Sequence, residues 1–130
     1  MKFETLADGI IQITFEGILD AEQWRNYKKA IIEHLDNSTD LQFILTDLSQ
    51  LEDVDKNIIS EFGSAPHLTH EKLGFLVLLG GNAFQQFISK ITEGNALRNH
   101  RAQRLRVHYD REGAMQWLYE RRDLENNIPS

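Results

Sequence analysis

A chain of 130 residues with 41% hydrophobic and 26% charged residues suits one globular domain with a sizeable core. The formal net charge of −6 opposes nonspecific nucleic-acid binding, which relies on neutralising phosphates. Cysteine is absent, so disulfides, thiolate metal sites and cysteine nucleophiles are excluded.

The first residues, MKFETLADG, lack the long apolar segment of a secretory signal, and the apolar run at 75–79 is too short to cross a bilayer. A cytoplasmic location without an integral membrane segment is the expectation. Asp8-Gly9 is a hairpin dipeptide between two strand-like runs. Ile11, Ile13 and Phe15 alternate with Gln12, Thr14 and Glu16, the pattern of a strand buried on one face, and Gly17 is expected to end it. Asp20 is placed to cap a helix, with Gln23 completing a capping-box pattern. Trp24, Tyr27, Ile31 and Leu35 form its apolar stripe.

Residues 41–46 read as a third strand that stops at Asp47, followed by an acidic loop. Asp55 is placed to cap a second helix with Ile58, Ile59 and Phe62 on its apolar face, ended by Gly63 and Pro66. Residues 73–79 are almost continuously apolar, as in a central strand covered on both faces. Gly80-Gly81 turns the chain and Asn82 caps a third helix carrying Phe84, Phe87, Ile88 and Ile91, with Gly94-Asn95 as its expected end. Leu105, Val107 and Tyr109 alternate with Arg104, Arg106 and His108 in a fifth strand. Asp110 caps a last helix with Ala114, Trp117 and Leu118 buried.

The order ββαβαβαβα predicts an α/β domain with a mixed, mostly parallel five-stranded sheet and about four helices. The domain is expected over residues 1–122, with a polar tail at 123–130. The alternation in the second and fifth strands predicts a sheet face open to solvent or to a partner, carrying Gln12, Thr14, Arg104, Arg106 and His108.

This order, with LTDLSQLEDVD at its centre and VHYDREGAMQWL near its end, resembles the SpoIIAA-like family of the STAS domain superfamily. In bacterial anti-sigma-factor antagonists of that superfamily, an Asp-x-Ser pattern closes a strand. A second Asp then precedes Ser-Ser-Gly, where a serine is phosphorylated. Asp47 and Ser49 match the first pattern and Asp55 the second aspartate. Lys56, Asn57 and Ile58 stand where the serines and glycine are expected, and Ser60 lies nearly a turn further on. The resemblance thus implies a STAS-like regulatory module without the usual phosphoacceptor. STAS-type folds are also similar to CRAL-TRIO lipid-transfer domains, which implies a second possibility, a carrier for a small apolar or anionic, lipid-like ligand.

Several residues carry chemistry of their own. Asp47, Glu52, Asp53 and Asp55 have the ligand type for a hard cation, but their spacing is not that of an EF-hand, and solvated carboxylates with one N-cap describe them better. His67 and His70 offer a pair of nitrogen ligands without an HExxH pattern. Gly80-Gly81-Asn82 is placed like an anion cradle but lacks the phosphate-loop lysine and hydroxyl, so a tight turn is the better account. Arg98, Arg101, Arg104 and Arg106 form a basic cluster that could meet an anionic ligand, a membrane headgroup or an acidic protein, although a solvated face paired with surface Glu and Asp describes it better. No GxSxG elbow accompanies any Ser/His/Asp set.

These features predict a non-enzymatic interaction module with no cofactor and no metal. It acts through Asp47, Ser49, Asp53, Asp55, Lys56, Asn57 and Ser60. Its partner is a protein or a second copy of the chain.

Overall fold

The computed structural model describes residues 1–126. Five strands, β1 (Lys2–Ala7), β2 (Ile10–Leu19), β3 (Gln42–Val54), β4 (Leu73–Leu79) and β5 (Leu105–His108), lie in the sheet in chain order. β1 runs antiparallel to β2, and every later neighbour is parallel. Three α-helices, α1 (Ala21–Asp36), α2 (Ala83–Arg98) and α3 (Arg111–Asn126), are joined by two short 3-10 segments, Lys56–Glu61 and Pro66–Thr69. The predicted second helix is a 3-10 segment, Lys56–Glu61, capped by Asp55 and ended before Gly63 as expected, and a separate 3-10 turn at Pro66–Thr69 follows the break. No helix among the described residues is long and apolar enough to cross a membrane.

Parallel strands in sequential order require crossovers of one hand, which puts the connections on one face of the sheet. That face packs Trp24, Tyr27, Ile31 and Leu35 of α1, Ile58 and Leu68 of the 3-10 segments, and Ile88 and Ala96 of α2. Beneath them lie Ile11, Ile13, Phe15, Ile44, Leu76, Leu78 and Leu105. The alternate residues Ile10, Phe43, Leu45, Phe75, Val77 and Leu79 face the other way, where Ala114 and Leu118 of α3 cover them.

The open sheet face expected from β2 and β5 is closed by α3 at β2, whereas Arg104 and Arg106 at β5 are exposed as expected. Gln12 and Thr14 point to the predicted side but are buried. The sequence reading left this face uncovered because α3 follows the last strand and folds back across it, a long-range return that strand alternation does not reveal. The domain boundary expected at residue 122 falls inside α3, which continues to Asn126. Arg121 and Glu125 pair at 3.0 Å one turn apart and carry the helix across that point. Residues 127–130 of the expected tail lie outside the described residues.

Two strands also exceed their sequence limits. β2 continues through Gly17 to Leu19 and β3 continues past Asp47 to Val54, so the pair projects beyond the other strands. Register shifts between Thr14 and Glu16 and between Gly17 and Ile18 mark bulges, and Gly17 supplies the φ of +69° that one of them needs. The polar letters of residues 47–53 read as loop because only Leu48, Leu51 and Val54, three apart rather than two, turn into the core.

α2 runs past Gly94-Asn95 to Arg98. Gly63, at φ +88°, approaches so closely that an added Cβ would meet the Thr92 carbonyl oxygen at 2.2 Å. Asn95 Nδ2 donates to the Ile59 carbonyl at 3.4 Å.

Candidate functional site

The projecting ends of β2 and β3, the first 3-10 segment and the start of α2 form one edge of the molecule. A groove of about 590 Å³ runs along it, lined by Glu16, Gly17, Ser49, Gln50, Leu51, Glu52, Asn82, Phe84 and Gln85. It lies beyond the carboxyl end of β4 and beside the extensions of β2 and β3, on the side of an open α/β sheet where binding is usual.

Three polar devices fix this edge. At its base, Asp47 is buried on the α3 side of the sheet. Its Oδ1 accepts from the Ser49 amide at 2.8 Å, at the point where β3 loses β4 as a neighbour and runs on beside β2 alone. Its Oδ2 lies 3.5 Å from both Gln12 Nε2 and Arg111 Nη1. Arg111 Nη2 also donates to Gln12 Oε1 at 2.5 Å, and Gln12 Nε2 donates to Thr14 Oγ1 at 2.9 Å. Arg111 lies 64 residues from Asp47 and 99 from Gln12, so no local pattern announces this cluster.

In the middle, the buried Gln85 side chain does three things. Its Oε1 accepts from the Gly81 amide at 3.0 Å and the Asn82 amide at 3.3 Å, and its Nε2 donates to the Ser49 carbonyl at 3.0 Å. Asn82 Oδ1 in turn accepts from the Gln85 amide at 2.8 Å, a complete capping box. The amides considered as an anion cradle are therefore already engaged by the chain's own carboxamide.

At the far end, Asp55 Oδ1 accepts from the Asn57 amide at 2.9 Å and caps the 3-10 segment. Ser49, Asp53, Lys56, Asn57 and Ser60 are exposed. Lys28 Nζ, from α1, pairs with Glu61 at 3.1 Å and ties the segment to the body.

The other sequence candidates separate. The four carboxylates of residues 47–55 do not converge. Asp47 turns to Ser49, Asp53 Oδ1 accepts from the Val54 amide, and Asp55 caps. Among the described residues no three His, Asp or Glu side chains are grouped to hold a metal ion. His67 and His70 point apart. His70 Nδ1 accepts from the Lys72 amide at 3.0 Å, which leaves Nε2 to donate to Asp36 at 2.8 Å. The four arginines do not share a patch. Arg98 bonds to Asn95 Oδ1 and Arg101 to the Ser64 carbonyl, both at the end of α2, while Arg104 and Arg106 lie over Phe75.

A cavity of about 40 Å³ lies between the sheet and the helices. Trp24, Tyr27, Thr46, Phe62, His67 and Leu76 are among its walls. Tyr27 Oη and Thr46 Oγ1 share a hydrogen bond at 2.9 Å, and burial raises the Tyr27 pKa although that bond opposes the rise. Trp24 Nε1 and His67 Nδ1 are buried with no hydrogen-bond partner among the described residues. Burial, reinforced by the charges of Lys28 and Arg101, pushes the His67 pKa down to about 3.

Two predictions follow from these groups. Asp55→Ala is expected to lower stability by about 1 kcal/mol, the usual worth of a side-chain cap, in chemical denaturation. An unchanged midpoint and slope contradict the assignment. His67 stays neutral in the fold, whereas the unfolded chain protonates it near pH 6.5. Its contribution is therefore complete above that pH and is lost as pH falls toward about 3, at up to roughly 1.4 kcal/mol per pH unit. The stability difference between wild type and His67→Phe should shift in favour of the variant between roughly pH 7 and pH 5. A pH-independent difference contradicts a buried neutral imidazole.

No protein-family model and no curated protein matches the chain. Solved structures do. An uncharacterized protein of the DUF3478 family with a SpoIIAA-like fold, from Shewanella loihica PV-4, superposes with a TM-score of 0.60 at 16% identity, covering 90% of each chain. The anti-sigma factor antagonist SpoIIAA in its unphosphorylated form superposes with a TM-score of 0.61 at 13% identity, covering 98% of each chain. The chain has a SpoIIAA-like α/β fold.

Proposed function

We propose that this chain is a cytoplasmic, non-enzymatic regulatory module that docks a protein partner along the edge built from residues 49–60 and the start of α2. The observation that carries this reading is a contrast within one segment. Its backbone is fixed by Asp47, Gln85 and Asp55, yet Ser49, Gln50, Glu52, Asp53, Lys56, Asn57 and Ser60 are exposed. A rigid edge presents side chains with little ordering cost on binding. Apolar contact area is at hand in Ile18 of β2 and Phe87 of α2, which are 59% and 56% exposed. Phe87 was expected inside the core, and its exposure adds to the surface a partner would cover.

The likeness to SpoIIAA, named as an antagonist of an anti-sigma factor, supports a regulatory role of this type. Lys56 and Asn57 stand where the resemblance expects phosphorylatable serines, so on this reading regulation runs through partner occupancy rather than a phosphate at that place. The carrier alternative draws on the interior cavity. It is the weaker reading, because about 40 Å³ holds little more than water, whereas small-molecule sites usually offer roughly 300–1,000 Å³.

A photo-crosslinking residue at Asn57 tests the proposal in cells of the native host. It is expected to capture one protein, and Glu52→Lys with Asp53→Lys is expected to abolish the adduct. A crosslinker at Lys29, exposed on α1, should not capture it. The same adducts from both positions, or none from Asn57, would contradict the docking edge.

A further inference from the structure

The arginines of β5 meet a third that the sequence pattern did not group with them. The guanidinium carbons of Arg104, Arg106 and Arg121 lie 5.4, 5.0 and 5.0 Å from the centre of the Phe75 ring. Arg104 immediately precedes β5, Arg106 lies within it and Arg121 comes from α3, so the fold assembles the group on the α3 side of the sheet edge. Phe75 is nearly fully buried, and Trp117 meets it edge-on at 4.9 Å, giving the three side chains a rigid aromatic floor.

The charge balance of this group is lopsided. All three guanidinium groups fall within about one Debye length, roughly 10 Å, of one another. Among the described residues one carboxylate pairs with them, Glu125, at 3.0 Å from Arg121 and 3.9 Å from Arg104. Arg106 pairs with no carboxylate among the described residues; its Nη1 donates to the Leu105 and Gln103 carbonyls at 2.7 and 3.2 Å. Arg104 Nη1 reaches the Gly74 carbonyl at 3.4 Å. Three positive charges against one negative leave a local surplus of two on a chain whose net charge is −6. Each guanidinium carries five N–H donors, and these bonds occupy only a few of them.

We propose that Arg104, Arg106 and Arg121 form a binding site for a phosphate monoester dianion. A dianion matches the surplus charge, and its oxygens match the planar forks. The Phe75 ring lies beneath the three guanidinium groups and leaves Arg104 about half exposed, so the site is open to solvent and its affinity is sensitive to salt. Arg98 and Arg101 are not part of it. The site stands apart from the docking edge and does not depend on that reading.

Calorimetric titration of the full chain with inorganic phosphate tests this at slightly alkaline pH and low salt, where phosphate is mostly dianionic. Flotation with phosphatidylcholine vesicles, with and without phosphatidic acid, tests the lipid-borne form of the same group. Arg106→Gln is the variant of choice, because Arg106 is exposed and bonds only to neighbouring carbonyls, and its melting curve verifies the fold. Arg98→Gln is the control. Saturable phosphate binding that weakens about tenfold in Arg106→Gln and not in Arg98→Gln supports a soluble phosphomonoester. Binding confined to phosphatidic acid vesicles, with the same dependence on Arg106, supports a lipid headgroup. Absence of both, or equal binding by wild type and Arg106→Gln, overturns the proposal.

Discussion

The carboxamide of Gln85 is the constraint on which the candidate edge depends. One buried side chain closes the turn after β4 by accepting from Gly81 and Asn82 and holds β3 by donating to Ser49. Gly80 makes this possible, since a Cβ there would lie 2.6 Å from Gln85 Cβ. Without that brace the projecting part of β3 would rest on the packing of Leu48, Leu51 and Val54 and on its ladder with β2. A buried amide that loses its partners exposes them to an unsatisfied state costing about 1–3 kcal/mol, so the arrangement is specified strongly.

The two faces of the sheet divide the labour. The α1 and α2 side holds the larger apolar cluster and the aromatic group of Phe15, Trp24, Tyr27, Phe62 and His67. The α3 side is smaller and edged with polar groups, Asp47, Gln12 and Arg111 at one end and Arg104, Arg106 and Arg121 at the other. α3 thus contributes a charged residue to each end while covering the middle with Ala114 and Leu118. This placement explains why an acidic chain carries a local cationic surface beside its edge strand.

Much of this was legible in the sequence where the signal is local. The stripe of Trp24, Tyr27, Ile31 and Leu35 is the buried face of α1, and Asp20, Asp55, Asn82 and Asp110 all accept backbone amides at the starts of their segments. The apolar run at 73–79 is a central strand buried on both sides. What escaped was tertiary. Polar residues 47–53 form strand because β2 offers a ladder, and α2 runs on through Gly94 to a turn against which Gly63 packs. Arg111 and Arg121 act across gaps that no periodicity encodes.

Native-state hydrogen exchange of the wild type and of Gln85→Ala tests the braced edge most directly. In the wild type, the Gly81 and Asn82 amides and those of residues 49–51 should exchange far more slowly than an open turn. In Gln85→Ala these amides should lose protection while Leu76, Val77 and Leu78 of the central strand keep theirs. Unprotected exchange of the edge in the wild type, or unchanged protection in the variant, would contradict the account.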